Sequence, residues 1–409
     1  MTGALDGIRV LDLSRVLAGP WATQILGDLG AEVIKVERPG AGDDTRAWGP
    51  PSAELGGEQF SAYYLTCNRN KQSIAIDIAL PEGAALIRRM AREADILVEN
   101  FKTGDLARYG LDYDSLRAIN PRLIYCSVTG FGQTGPYAGR GGYDFLVQGM
   151  GGLMSVTGKS ADDPVKVGVP VIDIFTGLYA TIAIQAALHH RERSGEGQHI
   201  DCALLDTSVA ILANQGMNWL VGGVTPRPMG NSHPNVVPYR TFAAADGHII
   251  VAVGNDKQFG ALCRVLGRTD LAEHPDYLTN ELRNRNRAML EPELECEISS
   301  WNSAELLAAM DAAGVPGGPI NRIQAVFADP QVQARGMVVP VATPDGHGTP
   351  QVRFPAIMSS SPATIRRAPP ALGADGAAIL RDLGLDDTEI QLLTKAGAIC
   401  LPEANQGRK

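Results

Sequence analysis

Ile8-Arg9-Val10-Leu11-Asp12-Leu13, a helix-forming passage from Ala18-Gly19-Pro20 to Gly30, then Ala31-Glu32-Val33-Ile34-Lys35-Val36-Glu37: this succession decides the fold class. The two apolar runs are short, and what separates them is long enough for a helix and too long for a hairpin. The alternation continues. Ser73 to Ile78 reads as a third strand, and Pro81 opens a helix to about Glu93, because a missing N–H costs nothing in the first helical turn. Ile96-Leu97-Val98 and Leu123 to Val128 are two further apolar runs, and Gln198 to Ala203 is another. Short strands separated by helices predict an α/β fold, a Rossmann-like large domain whose mostly parallel sheet carries helices on its faces. Ligands bind such sheets at the carboxyl ends of the strands. No G-x-G-x-x-G follows the first strand, so a nicotinamide cofactor is not indicated.

Outward from that core the pattern changes. A long helix is expected from about Leu205 to Leu220, and near Gly222 a Gly/Pro-rich passage begins that lasts to Pro238. Tyr239 to Phe242, the turn signal Asp246-Gly247 and Ile249 to Val253 then read as a hairpin. Helices follow to Ala313, and Gly314 to Ile320 punctuates the block. The domains are placed at 1–222 (the large domain), 223–328 (a smaller α+β domain) and 329–409 (a segment returning to the large domain). The polar end, Ala404 to Lys409, is expected to be loose.

A length of 409 residues suits two domains, or one with a large insertion. A net charge of −9 argues against a nucleic-acid binder, which presents a basic face. The six cysteines (Cys67, Cys126, Cys202, Cys263, Cys296, Cys400) are scattered, with neither a zinc pattern nor a disulfide framework. With no basic start and apolar core at the N-terminus, a reducing, cytoplasmic setting is expected. Val169 to Leu188 is the longest apolar stretch, but it contains Asp173, Thr176 and Gln185, so it reads as a buried helix and not as a membrane partner.

Within that stretch lies the candidate for chemistry. Asp173 stands among Val171, Ile172, Ile174 and Phe175, where a strand-like run is expected to give way to a helix from Leu178 to His190. A carboxylate among core-forming residues needs hydrogen bonds or a shifted pKa. The residues alone leave two readings: an N-cap for the helix, or a buried reactive group.

Several stretches together resemble the class III (formyl-CoA transferase type) CoA-transferases. They are Leu11 to Pro20, Leu29 to Gly40, Gly42-Asp43-Asp44-Thr45-Arg46, Asn68 to Ile74 and Val98-Glu99-Asn100-Phe101, followed by Gly130 to Pro136, Gly142-Tyr143-Asp144 and Asp173-x-x-Thr176-Gly177. Gly42 to Pro51, Tyr63-Tyr64-Leu65, Val237-Pro238-Tyr239, Gly254-Asn255 and Val326 to Val332 are most similar to the dicarboxylate branch, which moves CoA between succinyl-type donors and glutarate or hydroxymethylglutarate. The resemblance implies an interlocked homodimer with no permanently bound cofactor. Its substrates would be a CoA thioester, such as succinyl-CoA, and a carboxylic acid.

It also implies that Asp173 is the nucleophile, forming first a mixed anhydride and then an aspartyl-CoA thioester. Such covalent catalysis divides an acid–thioester exchange into near-isoenergetic steps. At the ordinary aspartate pKa, roughly 3.9, the carboxylate would be ionised near neutrality without a base. Backbone N–H groups near Leu17 and Ala18 are implied donors to the developing oxyanion. Formyl-CoA transferases carry Gln where this chain has Leu17, and a long glycine-rich loop absent here. Both differences argue against oxalate or formyl-CoA.

For CoA the family pattern implies Arg38, Arg108, Asn100 and Phe101, with Ile76, Asp77 and Ile78 as backbone contacts and Tyr143 beside the pantetheine. For a second carboxylate on the acceptor the candidates are Arg46, whose planar fork suits a carboxylate, and His233. Their plain alternatives are a loop-holding arginine bound to Asp43 or Asp44, and a turn histidine. An α-methylacyl-CoA racemase shares the fold, but Tyr143 stands where that enzyme has a catalytic His. A non-catalytic CoA-binding subunit is the other alternative. An ATP-dependent ligase is disfavoured because no G-x-x-x-x-G-K-[ST] is present.

Overall fold

The structure, a computed structural model, describes residues 3–55, 57–343 and 348–402. The chain divides into two compact units. One comprises the residues up to 153, 167–216, and those from 336 on; the other comprises 154–166 and 217–335. The sequence reading divides the chain instead at 222/223 and 328/329.

The first unit is built on six parallel strands: β1 (Arg9–Asp12), β2 (Glu32–Glu37), β3 (Lys71–Ile76), β4 (Ile96–Glu99), β5 (Ile124–Thr129) and β6 (His199–Ala203). Their spatial order is β3-β2-β1-β4-β5-β6, and the short strand Ile399–Cys400 adds antiparallel to β3. This is the doubly wound order in which the chain reverses direction between β1 and β4, the place where such folds open a crevice. Successive residues alternate between two cores. Val10, Val33, Ile96 and Ile124 share one with helix α1 (Ala18–Asp28). Leu11, Ile34, Leu97 and Tyr125 share the other with helix α2 (Pro81–Ala91). Burial on both faces is why Ile96–Glu99 and Ile124–Thr129 read as largely apolar runs; β1, β2 and β3 also bury Asp12, Lys35, Glu37 and Lys71.

Helix α3 (Asp144–Met150) and helix α4 (Val171–Ser194) complete the frame of the site. The strand-like reading of the residues around Asp173 is corrected: α4 begins at Val171, so Asp173 lies in its first turn. An apolar run of this length has no period that distinguishes a strand from a buried helix. What does repeat at helical spacing is burial, at Ile172, Ala180, Ile184 and Leu188, all in the core shared with α1. Gly177 sets that packing. A Cβ there would stand 2.7 Å from the carbonyl oxygen of Ala18, so only glycine lets α4 approach the start of α1 this closely. The expected 205–220 helix is two, Leu204–Ala210 and Ala213–Gly222, broken where Ala213 takes a positive φ of 46°.

The second unit has an antiparallel sheet of β7 (Tyr239–Ala244), β8 (Gly247–Ala252) and β9 (Gly317–Pro319), with β8 in the centre. Phe242, Ile249 and Val251 pack there against Phe259, Leu290, Leu294 and Ile298 from its helices. Ala404 to Lys409 lie outside the described residues.

Candidate active site

Asp173 is not a cap. The residue preceding α4 is Pro170, and no side chain of α4's own entry loop caps the helix. That work is done from α3: Oδ1 of Asp144 accepts the N–H of Ile172 at 2.8 Å and that of Asp173 at 3.3 Å. Asp144 is held in turn by the amide of Gln148, which donates to Oδ2 at 2.6 Å. The Asp173 carboxylate itself accepts no hydrogen bond among the described residues. Burial, and then the like charge of Asp144, push it up to about 7. The expectation of an ordinary aspartate pKa is therefore corrected: desolvation without compensating donors favours the neutral acid. Burial and the charge of Asp173 also push the phenol of Tyr63 up to about 12.

A cleft of about 520 Å³ opens at the reversal point of the sheet, lined by Leu17, Ala18, Asn100, Phe101, Tyr143 and Asp173. It therefore brings together six of the residues singled out in the sequence. Asn100, just after β4, bridges to the loop after β1: its Oδ1 accepts the Arg15 N–H at 2.9 Å, and its Nδ2 donates to the Arg15 carbonyl at 2.7 Å. The α1 N-terminus faces this cleft with no side-chain cap, and the N–H groups of Leu17 and Ala18 have no partner among the described residues. Uncapped N–H groups at a helix start form a ready site for developing negative charge.

A second cleft, about 230 Å³, holds Arg38, Ile76, Asp77, Ile78 and Arg108, and it shares Arg15 and Phe101 with the first. Among the described residues neither Arg38 nor Arg108 has a carboxylate partner; Arg108 lies over the ring of Tyr109 at 4.8 Å.

Of the two acceptor candidates, Arg46 is corrected. Arg46 lines neither cleft. Its guanidinium is held by Glu37 through bonds of 2.8 and 2.7 Å, by Tyr64 Oη at 2.6 Å and by the Pro370 carbonyl at 3.1 Å. It holds a loop as the alternative reading allowed, but through Glu37 and not through Asp43 or Asp44. His233 belongs to the second unit, where Nδ1 accepts the N–H groups of Asn235 and Val236 at 3.0 and 3.1 Å, as a turn residue does.

The residue missed outright is Arg140. It lines the Asp173 cleft and rests on Tyr137 and Phe131, at 4.7 and 5.2 Å, with no carboxylate partner among the described residues. Its place in Gly139-Arg140-Gly141-Gly142 was the only signal, a cation in a glycine-rich turn beside a quoted motif. Asp144 was quoted without a role, since its partners lie 28 and 29 positions away.

The family model described as CoA-transferase family III matches residues 5–376. The chain is similar to a succinate–glutarate CoA-transferase of Agrobacterium fabrum, 55% identical over 93% of this chain and 95% of that one. It is similar to a succinyl-CoA:glutarate CoA-transferase of Homo sapiens, 45% identical over 97% and 90%. Among solved structures it is similar to a CAIB/BAIF family protein from Brucella suis, with 52% identity, a TM-score of 0.83, and coverage of 94% of this chain and 100% of that one.

Proposed function

We infer, from the premise that this chain belongs to CoA-transferase family III and is a CoA-transferase, that it exchanges CoA between succinate and glutarate through Asp173. The names of the two relatives support the acid pair. The observation that carries the role of Asp173 is its setting: a carboxylate without hydrogen-bond donors, sharing a cleft with the uncapped start of α1. Hydrogen bonds to a carboxylate hold its lone pairs, and this one is unencumbered.

In the reaction, a carboxylate oxygen of Asp173 attacks the thioester carbonyl of succinyl-CoA, the C–S bond breaks and CoA leaves as thiolate. The thiolate attacks the aspartyl carbonyl of the mixed anhydride, releasing succinate and leaving an aspartyl-CoA thioester. Glutarate attacks that thioester, and the thiolate returns to the glutaryl carbonyl, which restores the carboxylate. The cycle starts and ends with the ionised carboxylate, so no proton is gained or lost within it. With the Asp173 carboxyl at about 7, the neutral acid must first lose its proton, and the reactive fraction grows as pH rises through 7. The N–H groups of Leu17 and Ala18 stabilise the oxyanions of these steps, and Arg38 and Arg108 bind phosphates of CoA.

With Arg46 engaged by Glu37, the far carboxylate of the acceptor falls to Arg140, which lines the Asp173 cleft and has no carboxylate partner among the described residues. The homodimer belongs to the same reading. It is supported by Phe145, Leu146 and Met150 of α3 and Ile182 of α4, large apolar side chains left exposed on the first unit.

The test incubates wild type and Asp173→Ala with succinyl-CoA and a panel of acids, and follows new thioesters by mass spectrometry. Glutaryl-CoA made by the wild type alone is the expected result. Exchange that survives in Asp173→Ala would remove Asp173 from the reaction, and a stronger preference for another acid would reassign the acceptor.

A further inference from the structure

The loop that carries Leu17 and Ala18 contains a conformational oddity. Val16 has φ +70°, the left-handed region, which a β-branched residue rarely enters. Something must hold it there. Both oxygens of Asp43 accept the Val16 N–H, at 3.2 and 3.3 Å. Asp43 is itself paired with Lys35 at 2.9 Å, and both side chains are wholly buried. Lys35 Nζ also donates to the Ser14 carbonyl at 2.9 Å. One buried ion pair thus grips the chain on both sides of Arg15, at Ser14 and at Val16. Asp43 is fixed independently of the loop, since its carboxylate takes the N–H and hydroxyl of Thr45 at 2.9 and 2.8 Å and its own N–H donates to Glu37 at 3.0 Å. Burial works against the Asp43 carboxylate, yet Lys35 and Thr45 bring it down to about 2, so the acceptor stays ionised.

We propose that the Lys35–Asp43 pair is a positioning clamp: it holds Val16 left-handed, and so presents the backbone donors of Leu17 and Ala18 to the cleft that contains Asp173. The proposal rests on the reading of that cleft as the reaction site. It gives Lys35 and Asp43, and the Gly42-Asp43 segment that looks like a ligand motif, a role at one remove from substrate. Without the clamp, Val16 relaxes to negative φ and the next two N–H groups turn away. Lys35, Gly42 and Asp43 also line the second cleft, that of Arg38 and Arg108. Both side chains of the pair are wholly buried and offer CoA no free polar group, so ground-state binding of CoA would change little.

The test exploits glycine, which enters the left-handed region without penalty. Asp43→Asn is made with Val16 retained and with Val16→Gly, and kcat and KM of CoA exchange are measured for all four proteins. With Val16 retained, Asp43→Asn lowers kcat on the order of 30-fold, the scale of a misplaced reacting group, and leaves KM for the acyl-CoA within about threefold. In the Val16→Gly background the same substitution lowers kcat no more than about threefold, a coupling of roughly tenfold. Equal losses in the two backgrounds, or a loss confined to KM, overturn the clamp. Should Asp43→Asn not fold because Lys35 is left unpaired, Lys35→Met/Asp43→Asn is taken through the same cycle and read the same way. A role in folding alone lowers the yield of both backgrounds without moving their ratio. Asp173→Ala is assayed alongside: if it stays active, the reading of the cleft fails, whereas an inactive Asp173→Ala with an additive cycle removes only the clamp.

Discussion

Replacing Asp173 by Asn should stabilise the protein, and increasingly so as the pH rises. The carboxyl stands at about 7 in the folded chain, against an ordinary value of 3.8. The direction follows from linkage. A folded-state pKa above the unfolded one means that the native state holds the proton more tightly between those two values. The stability this contributes is complete below pH 4 and is lost as pH climbs through 7. Asn carries no charge to desolvate and keeps nearly the same shape, so it escapes that loss. At about 1.4 kcal/mol per pKa unit the full cost of ionising Asp173 is roughly 4 kcal/mol. Some 1.5 kcal/mol of it is already lost at pH 5 and nearly all by pH 8, so the gap between the proteins widens by roughly 2–3 kcal/mol over that range. The start of α4 acts the other way, since a helix N-terminus favours an anion, and the widening is accordingly an upper value. Glu99, also pushed up to about 7 by burial, titrates in both proteins and cancels from the difference. The assay is the unfolding midpoint of wild type and Asp173→Asn at half-unit steps from pH 5 to 8.5. A gap that grows to about pH 7.5 and then levels is expected. A constant gap, or one that narrows with pH, would show that Asp173 is neither desolvated nor deprived of donors.

The two remaining predictions concern the acceptor and the assembly. Arg140→Ala should raise KM for glutarate at least tenfold, the scale of a lost charge-assisted hydrogen bond, while leaving KM for an unbranched monocarboxylate unchanged; equal effects on both acids would exclude a contact with the far carboxylate. Sedimentation equilibrium should return twice the mass of one chain, and Ile182→Asp, on the exposed apolar face of α4, should shift the protein toward monomer; a monomeric wild type would refute the dimer.

The strands of the large unit were legible because a parallel sheet buried on both faces favours apolar runs, as at 96–98 and 123–126, even though β1 and β2 carry Asp12, Lys35 and Glu37 into the buried sheet. The two clefts were legible only through family motifs, since their walls come from loops that follow different strands. Asn100 reaches Arg15 across 85 positions, and nothing local to either announces the contact. Arg46 misled for the opposite reason. A charged residue in a Gly-Asp-rich loop is ordinarily solvated, and only the fold brings Glu37, at the end of β2, into bidentate range. Gly177 was quoted without a reason, and its reason is tertiary: the Ala18 carbonyl on α1.

Two aspartates of the same unit show what separates a structural carboxylate from a reactive one. Asp43 and Asp173 are both largely withdrawn from water, and in both burial is the leading influence, pushing toward the neutral acid. Asp43 is given an ammonium, two backbone N–H groups and a hydroxyl, and stands at about 2. Asp173 is given none of these, and its neighbour is another carboxylate, Asp144, whose own acceptor oxygens are spent on α4 and Gln148. A buried pair such as Lys35–Asp43 adds little net stability, because desolvation offsets its attraction; what it adds is a fixed geometry, here a left-handed valine. The lone carboxylate adds instability, and keeps its lone pairs free. The fold tolerates both at the carboxyl end of its sheet, where β1 and β4 part and a substrate can reach what the core would otherwise enclose. Donor count, and not burial, is the property that divides them, and it is set by loops no strand or helix pattern encodes.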